Sequence, residues 1–310
     1  MIFYAVKRML FIIPVLFGVL LVTFLIMQVA AGDPARVYWR THAGNQTPTL
    51  AQLEEIRVQL GLNDPLPIQF LRWVGEVVQL KLGKTLYTKQ DVAKELFARF
   101  PYTLVLTANA LLVAIVIAIP LGIVSAVYPK SLLDGLVRIF ATSGICIPQF
   151  WLGLLLIFFF GFKLKLLPQM GSGTLFHLIL PSVTLGFGPA AFLTRLVRAN
   201  MLEVMTQDFV TTACAKGLSR SRLILKHVFR PALIPVVTMV GLQFGFIFGG
   251  AVIVETIFSW PGVGKWAVDG IFYRDMPVIR AFILVMGVIF VTANTLVDLV
   301  YMWVDPRIRQ

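Results

Sequence analysis

The sequence predicts an all-α, polytopic membrane protein, and three observations carry that prediction. Hydrophobic residues make up 58% of the 310-residue chain and charged residues only 14%, against roughly 45–50% and about 25% in an ordinary soluble domain. Mean hydropathy is +0.85. The apolar residues gather into six runs, at about 9–31, 102–127, 139–162, 178–197, 233–257 and 280–303, each near the roughly 20 residues that a helix needs to cross a bilayer. A soluble enzyme of this size needs more surface charge. A disordered chain would not keep 25 Phe and 6 Trp in water. A single-span anchor would carry a polar bulk that is missing here.

The first run follows Lys7 and Arg8 and extends over about 23 residues. A cleavable signal core is nearer 7–15 residues, so this run is expected to be an uncleaved first helix (1–31 with its N-terminal segment). Residues 32–101 form the longest non-spanning piece and are expected to fold outside the cell. Within it, Thr49 to Leu60 begins after Pro48 and stops at Gly61, the punctuation of a helix. Leu53, Ile56 and Leu60 give it one apolar stripe. A second helix is expected from about Ile68 to Leu80, ending near Gly83. These helices would line an entrance, receive an external partner or cap the spans. Asn45-Gln46-Thr47 has the form of a glycosylation acceptor, a match common by chance. Gly83-Lys84-Thr85 resembles the end of a phosphate-binding loop, but Val78 stands where that loop needs glycine.

Residues 102–310 hold the other five runs. The fourth, 178–197, contains Pro181, Gly186, Gly188 and Pro189, breakers that a span tolerates when neighbours satisfy the freed backbone. With the N-terminus inside, the inner loops carry 13 Lys and Arg, the two short outer loops 5, and the long 32–101 segment 9. That bias places both termini in the cytoplasm. It also explains the formal charge of +12 without a nucleic-acid partner. Cys146 and Cys214 lie far apart, and His42, His177 and His227 have no metal-ligand spacing. No metal site and no catalytic residue is expected. Asp298 and Glu255 are the ionisable groups inside spans, and no His-Glu-x-x-His or Gly-x-Ser-x-Gly motif accompanies them.

The cytoplasmic loop at about 198–232 is too long for a turn. Thr212, Ala213 and Ala215 approach Gly217, which supplies a bend, and Arg220, Arg222 and Lys226 follow. Two readings stand side by side: a basic segment on anionic membrane lipid, or a short helix docked into a groove of a cytosolic protein.

This loop resembles the coupling loop of ATP-binding-cassette importer permeases, whose pattern is E-A-A, three residues, G, nine residues, I-x-L-P. Gly217 matches the glycine, and Thr211-Thr212-Ala213 occupy the E-A-A positions with the last alanine kept. His227-Val228-Phe229-Arg230 replace I-x-L-P, and Pro231 follows. That departure is similar to the peptide/nickel branch of the family. Gly32-Asp33-Pro34, Leu60 to Leu66, Pro235 to Gly245, Gly249 to Gly264, Arg274 to Ile279 and Asp305 to Arg309 resemble the same branch in order and spacing. The resemblance covers nearly the whole chain.

It implies the type I permease fold with six spanning helices, in a bacterial or archaeal cytoplasmic (inner) membrane. It also implies a second homologous permease subunit, two cytosolic ATPase subunits that bind ATP and Mg, and an extracytoplasmic binding protein. No cofactor belongs to this chain. Thr211, Thr212, Ala213, Ala215, Lys216, Gly217, Leu218 and Ser219 become the expected ATPase-coupling residues, and Gln243, Glu255 and Asn294 candidate polar groups on the translocation pathway. Small peptides or nickel and other metal chelates are the implied substrates. The short outer loop from Lys163 to about His177 resembles the nickel and glutathione types. A membrane-embedded enzyme and a passive channel are the competing classes; the coupling loop favours the importer over both.

Overall fold

The computed structural model describes residues 2–30, 35, 36, 38, 39, 47–59 and 61–304, with side chains for all of these except 2–9, 11, 27, 29, 30 and 296–304. Gly32-Asp33-Pro34, Asn45, Gln46, Leu60, the side chain of Asp298 and the Asp305 to Arg309 ending lie outside the described residues. The named helices are α1 Ile2–Ala30, α2 Leu50–Gln59, α3 Leu66–Val78, α4 Val92–Val127, α5 Leu132–Cys146, α6 Gln149–Leu156, α7 Leu175–Met205, α8 Asp208–Ala215, α9 Phe229–Ile257, α10 Val263–Phe272 and α11 Met276–Val304. A wide π turn, Ile157–Lys163, continues α6, and another, Leu223–Val228, leads into α9.

Among the described residues, four stretches are long and apolar enough to cross a membrane: Val92–Val127, Leu175–Met205, Arg220–Ile257 and Met276–Thr295. The predicted third span is not one straight helix. It is α5 and α6 together, bent by 109° at a short break. Pro148 is the cause, because the residue before a proline is sterically pushed out of the helical region, and Ile147 is accordingly extended at ψ 120°. The first predicted span falls on the 29-residue α1, whose described apolar stretch is Ile12–Ile26. The prolines of the fourth span do not break it: Pro181 and Pro189 both lie inside the 31-residue α7.

Two compact units divide the chain, one built from 1–5, 102–261 and 292–310, the other from 6–101 and 262–291. The described residues of the 32–101 segment fall in the second unit, with most of α1, α10 and the start of α11.

In the first unit a stripe of alanines, Ala110, Ala114 and Ala118, is buried on one face of α4. Small side chains let helix backbones approach where lipid offers no hydrophobic drive to association. A methyl group on Gly186 of α7 would lie 2.5 Å from the Ala110 carbonyl oxygen, so this glycine serves contact, not bending. Pro189 has no N–H for the Leu185 carbonyl one turn earlier. The side-chain amide of Gln149, at the start of α6, donates to that oxygen at 3.4 Å.

In the second unit α2 buries Leu53 and Ile56 with Ala35, as its predicted stripe requires. α3 buries Phe70 and Trp73 with Leu284, against Leu20 and Phe24 of α1. The turn before α4 is tied to the start of α11 through Asp275, whose Oδ2 accepts from the backbone N–H groups of Leu86 (2.7 Å) and Tyr87 (3.3 Å). Tyr87 also stacks on Tyr273 with ring centroids 4.2 Å apart. Asp275 is 2% exposed, and its Oδ1 has no hydrogen-bond partner. Burial raises its pKa above the ordinary carboxylate value, and the two amides only partly oppose that shift.

A raised folded pKa means that the folded protein binds this proton more tightly than the unfolded chain. The contribution to stability is then greatest at low pH and is lost as pH rises through the folded pKa. Thermal unfolding of the detergent-purified protein across that range should show this decline, and Asp275→Asn should remove it. Asp275→Ala removes the acceptor of two part-buried amides and should cost about 1 kcal/mol at every pH.

Candidate functional site

α7 ends at Met205, and after Thr206 and Gln207 the chain enters α8. A helix of eight residues is too short to hold itself by backbone bonds alone. Packing supplies the remainder: Val210 and Ala213 are buried, Val210 in the cluster with Met201, Val204 and Val228. Asp208 in the first turn complements the positive end of the helix dipole. The Thr212 hydroxyl donates to the Asp208 carbonyl at 3.0 Å.

Gly217 closes the helix. Its N–H donates to the Cys214 carbonyl (2.9 Å) and the next N–H, of Leu218, to the Ala213 carbonyl (3.4 Å), the paired bonds of a Schellman cap. Gly217 sits at φ +76°, while a methyl group there would meet nothing within 4 Å. Conformation, not space, demands glycine.

Of the eight expected coupling residues, Thr211, Thr212, Ala215, Lys216, Gly217 and Ser219 are exposed, and Leu218 is half-buried. Ala213, at 8% exposure, lies on the buried side of α8. The free surface of α8 is the Thr211, Thr212, Ala215 and Lys216 side, with Phe209 43% exposed beside it.

The loop is pinned from behind. Arg220 Nη2 donates to the Val127 carbonyl at the end of α4 (3.1 Å), and its guanidinium lies 5.3 Å from the Tyr128 ring centroid. Just beyond, Asp134 gathers α4, α5 and α7 around one carboxylate. Ser125 Oγ donates to Oδ1 at 2.5 Å and the Lys130 N–H to Oδ2 at 3.0 Å. Arg198 of α7 donates to both oxygens, at 2.8 and 3.2 Å. Asp134 is 1% exposed. A buried carboxylate needs such company. Sequence reasoning missed this group, although Ser131-x-x-Asp134 is a helix-start signature, and Ser131 Oγ does accept the Asp134 N–H at 3.2 Å.

The pathway candidates separate. Gln243 on α9 and Asn294 on α11 are half-buried. Glu255 is 0% exposed, and Thr103 Oγ1 donates to it at 2.5 Å, which joins α9 to α4. Beside it, Trp260 Nε1 donates to the Tyr102 carbonyl at 3.0 Å.

Comparison with known proteins gives consistent matches. Residues 118–310 match the family described as binding-protein-dependent transport system inner membrane component, and residues 1–107 match that family's N-terminal membrane component. The glutathione transport system permease protein GsiC of Pectobacterium atrosepticum is 42% identical over 306 residues, 99% of this chain and 98% of that protein. The protein of the same name from Escherichia coli K12 gives the same figures. Among solved structures, an inward-facing form of the MetNI methionine ABC transporter superposes with a TM-score of 0.57 at 19% identity, over 68% of this chain and 96% of that one. An amino acid ABC transporter with histidines gives 0.54 at 14%, over 67% and 94%. At those identities the likeness concerns the fold.

Two outcomes follow for the loop and its anchor. Gly217→Val should break the cap, and Arg220→Ala should release the loop from α4. Both should speed amide hydrogen exchange over 208–218 while leaving exchange in α4 and α7 unchanged. Asp134→Ala strips three helices of a shared buried acceptor and leaves Arg198 uncompensated, which should cost about 3 kcal/mol in thermal unfolding.

Proposed function

The chain belongs to the family of binding-protein-dependent transport system inner membrane components, and from that premise we propose the assembly, orientation and cargo that follow. Membership makes it a multi-pass permease subunit of an ATP-binding-cassette importer, not an enzyme, dependent on ATPase and binding-protein partners. It pairs with a second, homologous permease. Two cytosolic ATPases, which bind ATP and Mg, take the exposed side of α8 on each permease. Both termini and α8 face the cytoplasm, and an extracytoplasmic binding protein delivers cargo from the other side. Closure of the ATPases on ATP moves the two α8 helices together. Because α8 is seated on α7 and pinned through Arg220 to α4, that movement is carried into the spans.

The proposed cargo is a small peptide of the glutathione class. The observation that carries this reading is the end-to-end identity of 42% with glutathione permeases. That relationship supports the peptide part of the expected substrate range over nickel or metal chelates. Gln243 and Asn294 are the proposed polar contacts along the pathway, where selection already made by the binding protein leaves few strong contacts necessary.

The complete transporter in proteoliposomes tests this reading. Uptake of labelled glutathione or dipeptides should require ATP and the loaded binding protein. Thr212→Trp and Lys216→Glu, on the free side of α8, should lower uptake about tenfold or more by weakening a central interface contact, with the permease still inserted. Uptake that proceeds with inactive ATPases would turn the assignment to a passive channel.

A further inference from the structure

The helix α3 belongs to the segment expected to fold in water, yet its surroundings are those of a membrane span. Phe70 makes edge-on ring contacts with Phe17 and Phe24 of α1, at centroid distances of 5.6 and 5.5 Å. Trp73 lies 5.8 Å from Phe24, and both Phe70 and Trp73 cluster with Leu284 of α11. Phe17 and Phe24 fall within the apolar Ile12–Ile26 stretch, and Leu284 within the Met276–Thr295 span. A helix that touches these side chains cannot lie wholly above the bilayer.

Three stripes run along α3. Phe70, Trp73, Val74 and Val77 face the protein. Gln69, Arg72 and Glu76 form a narrow polar stripe, in which Gln69 donates to the Leu62 and Asp64 carbonyls and Arg72 pairs with Asp64 at 2.6 Å. Ile68, Leu71 and Val78 form a third stripe, 49, 67 and 76% exposed, with Gly75 between them opening onto empty space. Apolar side chains on two of three sides, with one polar edge, suit a helix lying in the membrane interface. On α1, too, apolar side chains are exposed, with Phe17 at 52 and Leu25 at 48%.

On the polar side of α3 is a cavity of about 350 Å³ lined by Trp73, Glu76, Lys81, Leu82, Pro277 and Arg280. The Arg280 guanidinium lies 5.7 Å from the Trp73 ring centroid, and among the described residues no carboxylate pairs with it within 4.0 Å. Glu76 lines the same cavity without forming that pair. Glu76 opposes the cost of burying this guanidinium only at a distance and without a direct pair, and with Lys81 at the rim the cavity carries one more positive than negative group.

We propose that α3 lies in the outer interface of the bilayer and that Arg280, Lys81 and Trp73 hold the phosphate of an anionic phospholipid, whose acyl chains run over Ile68, Leu71 and Val78. The guanidinium and ammonium groups supply the charge, and the indole packs against the glycerol region. The shared chemistry is a phosphate oxyanion, and the open apolar stripe selects a lipid over free phosphate as its source.

The test uses the complete transporter in nanodiscs of phosphatidylcholine doped with phosphatidylglycerol, with retained phosphatidylglycerol counted by native mass spectrometry. Arg280→Gln should reduce retention about tenfold, the scale of one lost charge-assisted bond. Lys81→Gln, at an exposed position that the fold does not need, should reduce it severalfold, and Arg280→Lys should fall between Arg280→Gln and the native chain. In a background with Cys146 and Cys214 replaced by Ser, a spin label at Leu71→Cys should be relaxed by lipid-soluble oxygen and shielded from a water-soluble relaxant. Retention unchanged in Arg280→Gln and Lys81→Gln would overturn the headgroup site. Displacement of the lipid by millimolar inorganic phosphate, with the label open to water, would make this a small-anion site and overturn the lipid. A label shielded only when the binding protein is added would make the stripe a protein-docking face, which also overturns it.

Discussion

Close approach of α4 and α7 is the constraint on which the first unit rests. Lipid gives two apolar helices little reason to associate, so contact must come from backbones brought near enough for dispersion and weak hydrogen bonds to act. Ala110, Ala114 and Ala118 present a nearly flat face, and Gly186 removes the one methyl group that would strike the Ala110 carbonyl. With this spacing set, Leu193, Val197 and Met201 of α7 reach the same cluster as Val228, Ala232 and Val236 around α9. Leu106 and Leu185 form a second cluster with Ile247, Val254 and Phe258. A larger residue at the α4 stripe would part the helices and loosen both clusters together.

The polar groups inside this unit follow from the same lack of water. Each unpaired donor or acceptor there is expensive; Ser182 Oγ is left without a partner among the described residues, while the others named here answer specific groups. Gln149 answers the carbonyl that Pro189 leaves without a donor. Thr103 answers Glu255, and Ser125, Lys130 and Arg198 answer Asp134. These contacts are specific in direction where apolar packing is not. They set the register of α4 against α7 and of α6 against α7, which a sliding hydrophobic surface would leave open.

Composition and periodicity made the class, the helical runs and the stripe of α2 legible in the sequence. Gly217 marked a bend in the loop after α7, and the structure has a helix cap at that position. What stayed hidden was whatever depends on a neighbour. Pro148 breaks the third span and Pro189 does not break the fourth, although the residue is the same. At the first, Ile147 is extended at ψ 120°; at the second the helix continues, and Gln149, 40 positions from Pro189 in sequence, donates to the Leu185 carbonyl that the proline leaves without a donor. Glu255 and Asp134 look alike as isolated acids near span ends, and only their partners reveal them as junctions. A helix from about Ile68 to Leu80 is legible in the sequence, whereas its contacts with Phe17 and Leu284 are not visible in one dimension.

The two sides of α8 show how the short helix proposed to receive the ATPase can be held firmly. Its intrinsic helix stability is poor: two adjacent threonines, a cysteine and eight residues in all are a weak combination in water. Seating Val210 and Ala213 against α7 and the turn before α9 replaces that missing stability with tertiary contact, and the Gly217 cap satisfies the last carbonyls. The side chains that remain outward, Thr211, Thr212, Ala215 and Lys216, are then short or flexible and block no approach. A longer, self-sufficient helix could rotate under a partner's pull and dissipate it. One that is folded only while seated must carry its support with it, through Met201 and Val204 on one side and Arg220 and Tyr128 on the other. The weakness of the isolated helix is therefore what makes its displacement inseparable from that of the spans.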